Sequence, residues 1–209
     1  MTGQLAKVRD EARRCRACEL WRQATQTVFG EGSSRAAMML VGEQPGDRED
    51  VVGRPFVGPA GRLLDDALAA AGIDRSSVYV TNAVKHFKWQ PRGKIRIHQK
   101  PNAREIAACR PWLEREIGIV RPIGLLGLGA TAAQALLGAG VRVTVSRGRA
   151  LASPLAPLVM VTVHPSAVLR APTGVDRARE LERFVADLRK FDELTQQAAN
   201  AAAERAHAR

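Results

Sequence analysis

Four short, uncharged and largely apolar runs constrain this chain more than any other feature: Ala36 to Val41, Val78 to Asn82, Ile123 to Leu128 and Val159 to Val163. None shows the strict alternation of a sheet with one face in water, so each reads as a strand covered on both faces. Between and after them lie stretches with helical spacing. These run from Ala60 to Leu68, from Asn102 to Ile117 with Asn102 a candidate N-cap and Glu105 at the capping-box position, from Ala130 to Leu137, and from Asp176 to Leu194. Strand and helix in alternation predict an α/β fold, three layers α/β/α around a central, mostly parallel four-stranded sheet with right-handed crossovers. Such a fold gathers its chemistry along the carboxyl edge of the strands.

Three of the four runs end in polar motifs. The first presents Glu43 and Gln44 in the loop Gly42 to Gly46, the second ends in Asn82, and the last delivers His164, Pro165 and Ser166 with Leu169 close behind. A carboxylate, amides and imidazoles meeting on one edge form a hydrogen-bonding and acid/base set that a purely structural edge does not need. The loop at Gly42 has neither the Gly-Lys-Ser/Thr ending of a phosphate-cradling loop nor the spacing of a dinucleotide fingerprint, which disfavours a nucleotide cofactor. Asn82 reads either as a turn-former or as an amide able to meet both the donor and the acceptor edge of a pyrimidine. Phe56, in the glycine-bounded loop Gly53 to Gly58, reads either as a core plug or as a base-stacking platform.

Seventeen residues from Lys85 to Pro101 follow the second run and carry two of the four histidines, His86 and His98, and six basic side chains, Arg96 among them, with no carboxylate. Pro91, Gly93 and Pro101 interrupt the stretch, so it reads as a long surface loop. The bland reading is a solvated charged loop. The sharper one is a binding loop at the functional edge. A formal net charge of +11 implies an anionic partner, and nucleic acid is the commonest for a basic domain of this kind. With only 4% aromatic residues, stacking on many rings is not the mode.

At 209 residues and 45% hydrophobic content, the chain reads as one domain over residues 1 to 195 followed by an Ala-rich tail, 196 to 209, frayed or disordered. Met1 to Arg14 has charges throughout and no apolar targeting core, and no segment approaches the apolar length that spans a bilayer. The expectation is a monomeric cytoplasmic protein with no membrane partner. Its three cysteines, Cys15, Cys18 and Cys109, then suit a metal or redox site better than a disulfide framework. With His86 as a fourth ligand they would close a site suited to zinc or to an iron-sulfur cluster.

Taken together, the motifs at Gly42 to Gly46, Gly53 to Gly58, Val80 to Val84, Ala108 to Trp112 and His164 to Ser166 resemble, in order and rough spacing, those of the uracil-DNA glycosylase superfamily. The similarity covers roughly residues 10 to 190 and is closest to the iron-sulfur family 4 enzymes. Gln44 together with an inserted basic loop ending in Arg96, Ile97 and His98 is similar to the UdgX branch, which excises uracil from DNA and stays covalently attached. The resemblance implies a [4Fe-4S] cluster on Cys15, Cys18, His86 and Cys109, and His98 as the group that traps the sugar. It further implies that Phe56 stacks on a flipped uracil, Asn82 bonds its amide edge, and His164 stabilises charge on its O2. Glu43 would stabilise the sugar cation and help His98 lose its proton, Ser166 would hold a phosphate, Leu169 would wedge into the space the base leaves, and Gln44 and Arg96 would belong to the substrate-binding set. Uracil-containing DNA is the implied partner, single-stranded by preference because drawing a base from a duplex costs roughly a few kcal/mol. The alternatives are a conventional turning-over family 4 enzyme, with His98 only touching phosphate, and a metal-stabilised nucleic-acid-binding module without chemistry.

Overall fold

The computed structural model describes residues 3–207 of the 209-residue chain. In chain order the elements are α1 (Gly3–Ala12), β1 (Met38–Gly42), α2 (Asp47–Val52), α3 (Pro59–Ala71), β2 (Val78–Asn82), β3 (Trp89–Arg92), β4 (Ile95–His98) and α4 (Ala103–Val120). They continue with β5 (Gly124–Leu128), α5 (Ala130–Leu137), α6 (Val143–Ser146), β6 (Ala150–Leu151), β7 (Leu158–Thr162), α7 (Pro165–Leu169) and α8 (Gly174–His207). A 3-10 turn, Glu19–Arg22, follows the Cys15 and Cys18 pair.

The main sheet has the order β2-β1-β5-β7-β6. Strands β2, β1, β5 and β7 are parallel and every residue in them is buried, as uncharged runs without alternation require. Successive side chains point to opposite faces, and two separate cores result. Leu40, Val80, Leu126 and Met160 pack with Leu64, Leu68, Val168, Phe184 and Leu188 from α3, α7 and α8 on one face. Met39, Val41, Tyr79, Leu125 and Val159 pack with Leu5, Val8, Leu113, Ile117 and Ala132 from α1, α4 and α5 on the other. The result is the three-layer α/β/α arrangement the alternation predicts.

The predicted sheet has four strands; the fifth is β6, which pairs antiparallel with β7 at the edge. Two residues are too few to leave a periodic signal. The basic stretch is also more ordered than a loop: β3 and β4 form a separate antiparallel hairpin in which Trp89 pairs with His98 and Arg92 with Ile95. Its two-residue turn places Gly93 at φ 59°, the first central position of a primed turn, where glycine has no Cβ penalty. The Ala-rich tail differs from expectation too. Helix α8 continues without a break to His207, consistent with the high helix propensity of its alanines, while Ala208 and Arg209 lie outside the described residues. No helix among the described residues is long and apolar enough to cross a membrane.

Candidate active site

The carboxyl ends of β1, β2, β5 and β7 open into one cavity of about 950 Å³, lined among others by Glu43, Gln44, Phe56, Asn82, His98, His164, Ser166 and Leu169. Eight of the nine residues expected in the catalytic and substrate-binding set thus share one space. The ninth, Arg96, lies on the hairpin beside it.

Local backbone geometry fixes the inner part. A Cβ at Gly42 would fall 2.3 Å from Asn82 Oδ1 and 2.7 Å from Phe56 Cζ, so only glycine lets the amide and the ring meet there. Phe56 adopts a left-handed backbone with φ 56°, a conformation that costs a bulky residue about 1–3 kcal/mol. The neighbouring helix turn accommodates it because a Cβ at Gly61 would lie 1.8 Å from the Phe56 carbonyl oxygen. Phe56 is 7% exposed, and its ring stacks on that of His164 at an interplanar angle of 27°, with centroids 6.3 Å apart.

His164 is the N-cap of α7. Its Nδ1 faces the Ser166 backbone N–H at 3.2 Å and the Ser166 hydroxyl at 2.8 Å. A peptide N–H can only donate, so Nδ1 carries the lone pair and the ring hydrogen sits on Nε2. Burial, with smaller effects from Arg170 and His98, lowers its pKa to about 4. His164 is therefore a neutral imidazole with one hydrogen to donate. Ser166, expected on a phosphate, sets the tautomer of this histidine.

Glu43 is held from one side by Thr131 in the first turn of α5, whose hydroxyl donates to Oε2. Its other oxygen, Oε1, lies 3.3 Å from His98 Nε2. His98 is half exposed at the cavity mouth and tilts against Phe87 at 6.1 Å.

Gln44 and Arg96 both tie the hairpin to the rest of the protein. Gln44 is buried; its Oε1 accepts from the Lys88 N–H (3.1 Å) and its Nε2 donates to the carbonyls of Lys88 (3.2 Å) and Gln99 (3.1 Å). It thus ties together the two ends of the ribbon that carries His98. Arg96 donates to Asp47 Oδ1 (2.5 Å) and to the fully buried carboxylate of Asp50 (2.6 Å), and it lies over the Phe87 and Trp89 rings.

Sequence reasoning missed Thr131, Asp50 and a buried pair, Lys85 and Glu116. One signal for the last was present: Glu116 stands on the stripe of Leu113, Ile117 and Val120 that α4 turns to the core.

The expected metal ligands lie on segments that fold together. Cys109 packs with Leu20 and Val84 and against Cys18, and accepts from the Lys85 N–H at 3.4 Å; Cys15 accepts from Trp112 Nε1 at 3.1 Å. The three thiols lie within one another's electrostatic reach. Burial raises the Cys18 thiol above its ordinary range and pushes that of Cys109 up to about 11, so each holds its proton until a cation displaces it. His86 is more telling. The Thr27 hydroxyl donates to the Ala12 carbonyl (3.1 Å) and so accepts from His86 Nε2–H (2.9 Å), which leaves a lone pair on Nδ1. That Nδ1 is buried with no hydrogen-bond partner among the described residues, and burial lowers the His86 pKa despite the nearby Asp50. A neutral, orphaned imidazole nitrogen fits a metal centre. Among the described residues no three His, Cys, Asp or Glu side chains come close enough for a single ion.

Residues 29–189 match the family model of the uracil DNA glycosylase superfamily. The chain is 37% identical to a type-4 uracil-DNA glycosylase of Pyrobaculum aerophilum over 80% of this chain and 86% of that protein. It is 38% identical to one of Thermotoga maritima, over 85% and 87% of the two chains. It is 33% identical to one of Archaeoglobus fulgidus, over 86% and 87%.

Proposed function

This chain belongs to the uracil DNA glycosylase superfamily, with relatives of the type-4 class, and from that premise we propose that it cleaves the N-glycosidic bond of uracil in DNA and is then trapped on the sugar through His98. The observation that carries the second half is the approach of His98 Nε2 to Glu43 Oε1, 3.3 Å, at the mouth of the cavity that holds Phe56, Asn82 and His164.

Uracil leaves with the electron pair of the broken bond, so the barrier falls when donors meet the charge growing on the base and a carboxylate meets the charge growing on the sugar. In the proposed complex Phe56 stacks on the base, Asn82 bonds its amide edge, and His164 Nε2–H donates to O2. Glu43 faces the oxocarbenium-like sugar. The bond from C1′ to N1 breaks while the ionised Glu43 carboxylate faces the sugar, and the base departs as an anion. His98, with hydrogen on both ring nitrogens, then passes its Nε2 hydrogen to Glu43 and bonds C1′ through the freed lone pair, so the ring keeps one positive charge and Glu43 ends neutral. Positioning lets the imidazole outcompete water, because a bound nucleophile replaces a bimolecular step by an effectively unimolecular one. Gln44 and Arg96 contribute by holding the ribbon, and the basic side chains around them favour DNA phosphates in a salt-dependent way. Leu169, at the cavity rim, would fill the space the base leaves, and single-stranded DNA, with no pair to break, would be the better substrate.

Cys15, Cys18, His86 and Cys109 would hold a [4Fe-4S] cluster. Bound there it supplies metal–ligand bonds that tie the N-terminal segment, the end of β2 and α4 into one unit. The functional form is proposed to be a cytoplasmic monomer, one domain through residue 195 with α8 running beyond it.

A uracil-containing oligonucleotide run on a denaturing gel tests the proposal: a slow, denaturation-resistant protein–DNA band is the expected result. The naming of the relatives favours a second reading, a conventional turning-over enzyme. Repeated release of uracil with no such band would establish that reading and remove the trap.

A further inference from the structure

Lys85 and Glu116 form an ion pair in which neither side chain has any exposed surface. Removing both charges from water is unfavourable, and an apolar pair of similar volume commonly serves stability as well or better, so the contacts of the pair say more about its use than its burial does. The Glu116 carboxylate accepts from the Gly30 N–H (2.9 Å), the Tyr79 hydroxyl (2.9 Å) and the Thr81 hydroxyl (3.0 Å). The Lys85 ammonium donates to Glu116, to Thr81 Oγ1 (2.6 Å) and to the backbone carbonyl of Asn82 (2.7 Å).

That last bond falls where the sheet has nothing to offer. β2 is an edge strand, and on its outer side Val80 exchanges both backbone bonds with Glu31 at 2.8 Å. Asn82, two residues on, turns its backbone to the same side, beyond the end of that bridge. There the Lys85 ammonium takes the place of a neighbouring strand. Positional slack at Asn82 is small, because its Oδ1 already fills the space a Cβ at Gly42 would need. The main chain of Lys85 is fixed as well: its N–H donates to Cys109 Sγ (3.4 Å) and its carbonyl accepts from the Val28 N–H (2.8 Å). His86 is the next residue.

Resting on the reading under "Proposed function", we infer that Lys85 and Glu116 are a positioning pair. They hold the peptide of Asn82 in register for the base and link that register to the segment bearing Cys109 and His86. The pair touches no reacting atom. It acts through Asn82, so its loss lowers the rate of the bound complex rather than the affinity for DNA.

The test is Lys85→Met/Glu116→Gln, which removes both charges at similar volume, with Glu116→Gln alone beside it. The variants are prepared as the metal-loaded full chain. For the double variant the expected result is wild-type visible absorption and circular dichroism, and wild-type affinity for an oligonucleotide with a stable abasic analogue. Single-turnover uracil release falls about 100-fold, the scale on which a misplaced group acts, in the maximal first-order rate at saturating protein, with little change in the half-saturating protein concentration. Glu116→Gln, which keeps the ammonium on Asn82, loses less. A folded, absorbing double variant that releases uracil at the wild-type rate overturns the inference. Variants that lose the fold or the absorption together with activity also overturn it, because the pair would then be structural. Wild-type protein that releases no uracil overturns the underlying reading instead, a result distinct from both.

Discussion

His98 Nε2 faces Glu43 Oε1 at 3.3 Å while the other oxygen of Glu43 accepts from Thr131, so the imidazole meets a carboxylate that is itself held in place. The two residues come from different structures, one from the loop after β1 and one from the end of the hairpin. Their meeting depends on everything that fixes the hairpin.

Replacing each partner should separate two events. His98→Ala removes the nucleophile and leaves the base pocket, so the covalent band disappears while uracil and an abasic site are still produced. Glu43→Gln removes the charge opposite the sugar and the acceptor for the His98 proton, and should slow both events by about 100-fold or more. Denaturing gels combined with alkaline strand cleavage read both products, and an undiminished band in His98→Ala would rule out the assigned nucleophile.

Gly42→Ala tests the packing of the reader itself. A methyl group placed 2.3 Å from Asn82 Oδ1 must displace the amide or the Phe56 ring. Uracil release should fall at least about 100-fold, since a shift on the order of 1 Å in a positioning group costs that much. Release at the wild-type rate would show that Asn82 and Phe56 do not need their present places.

Gln44→Ala leaves the Lys88 N–H and the Lys88 and Gln99 carbonyls without their side-chain partner at a buried position, a loss of about 1–3 kcal/mol for each group left unsatisfied. The penalty falls on the hairpin base, not on the pocket. Covalent capture should slow more than uracil release, and the amides from Lys88 to Gln99 should exchange hydrogen faster.

The neutral state of His164 gives stability a defined pH dependence. Its pKa is about 4 when folded against an ordinary 6.5, so between these values the unfolded chain binds a proton that the native one refuses. Stability from this group falls as pH drops from about 6.5 and levels off below about 4. A melting series from pH 7 to 4 should show the slope, and His164→Gln should flatten it.

Cys109→Ser and His86→Ala test the metal site by spectrum. Each should lower iron content and visible absorption, and melting should move to lower temperature as the ties between α1, α4 and the end of β2 weaken. Full iron and absorption in both variants would place the site elsewhere.

Much of this was legible in the sequence, for reasons particular residues make clear. The four parallel strands announced themselves because a strand buried on both faces cannot hide its composition, and Asn102 with Glu105 marks the start of α4 through local chemistry that the structure reproduces as a full capping box. The hairpin was hidden by its polarity: Pro91 and Gly93 read as breakers, yet Gly93 is the turn residue of a two-residue loop and Pro91 lies in a ribbon held mainly by side chains outside it. Composition points to Ser166, Gln44 and Arg96 near the site, and the structure adds the protein groups that hold each of them: His164, the Lys88 and Gln99 backbone, and Asp47 with Asp50. Composition can bring a polar group to an edge, whereas only packing decides whether it faces a ligand or another side chain.

The hairpin's manner of attachment bears on how such a protein could arise. It is pinned at its base by Gln44 and along its length by Asp47 and Asp50, all outside it, while Phe56, Asn82 and His164 come from segments that do not include it. On the proposed reading the trap is a detachable cassette. Shortening the chain between Phe87 and Pro101 would convert a reagent consumed by its own reaction into a recycling catalyst, and the reverse conversion would require one inserted ribbon with its anchors while the cleft stayed as it was.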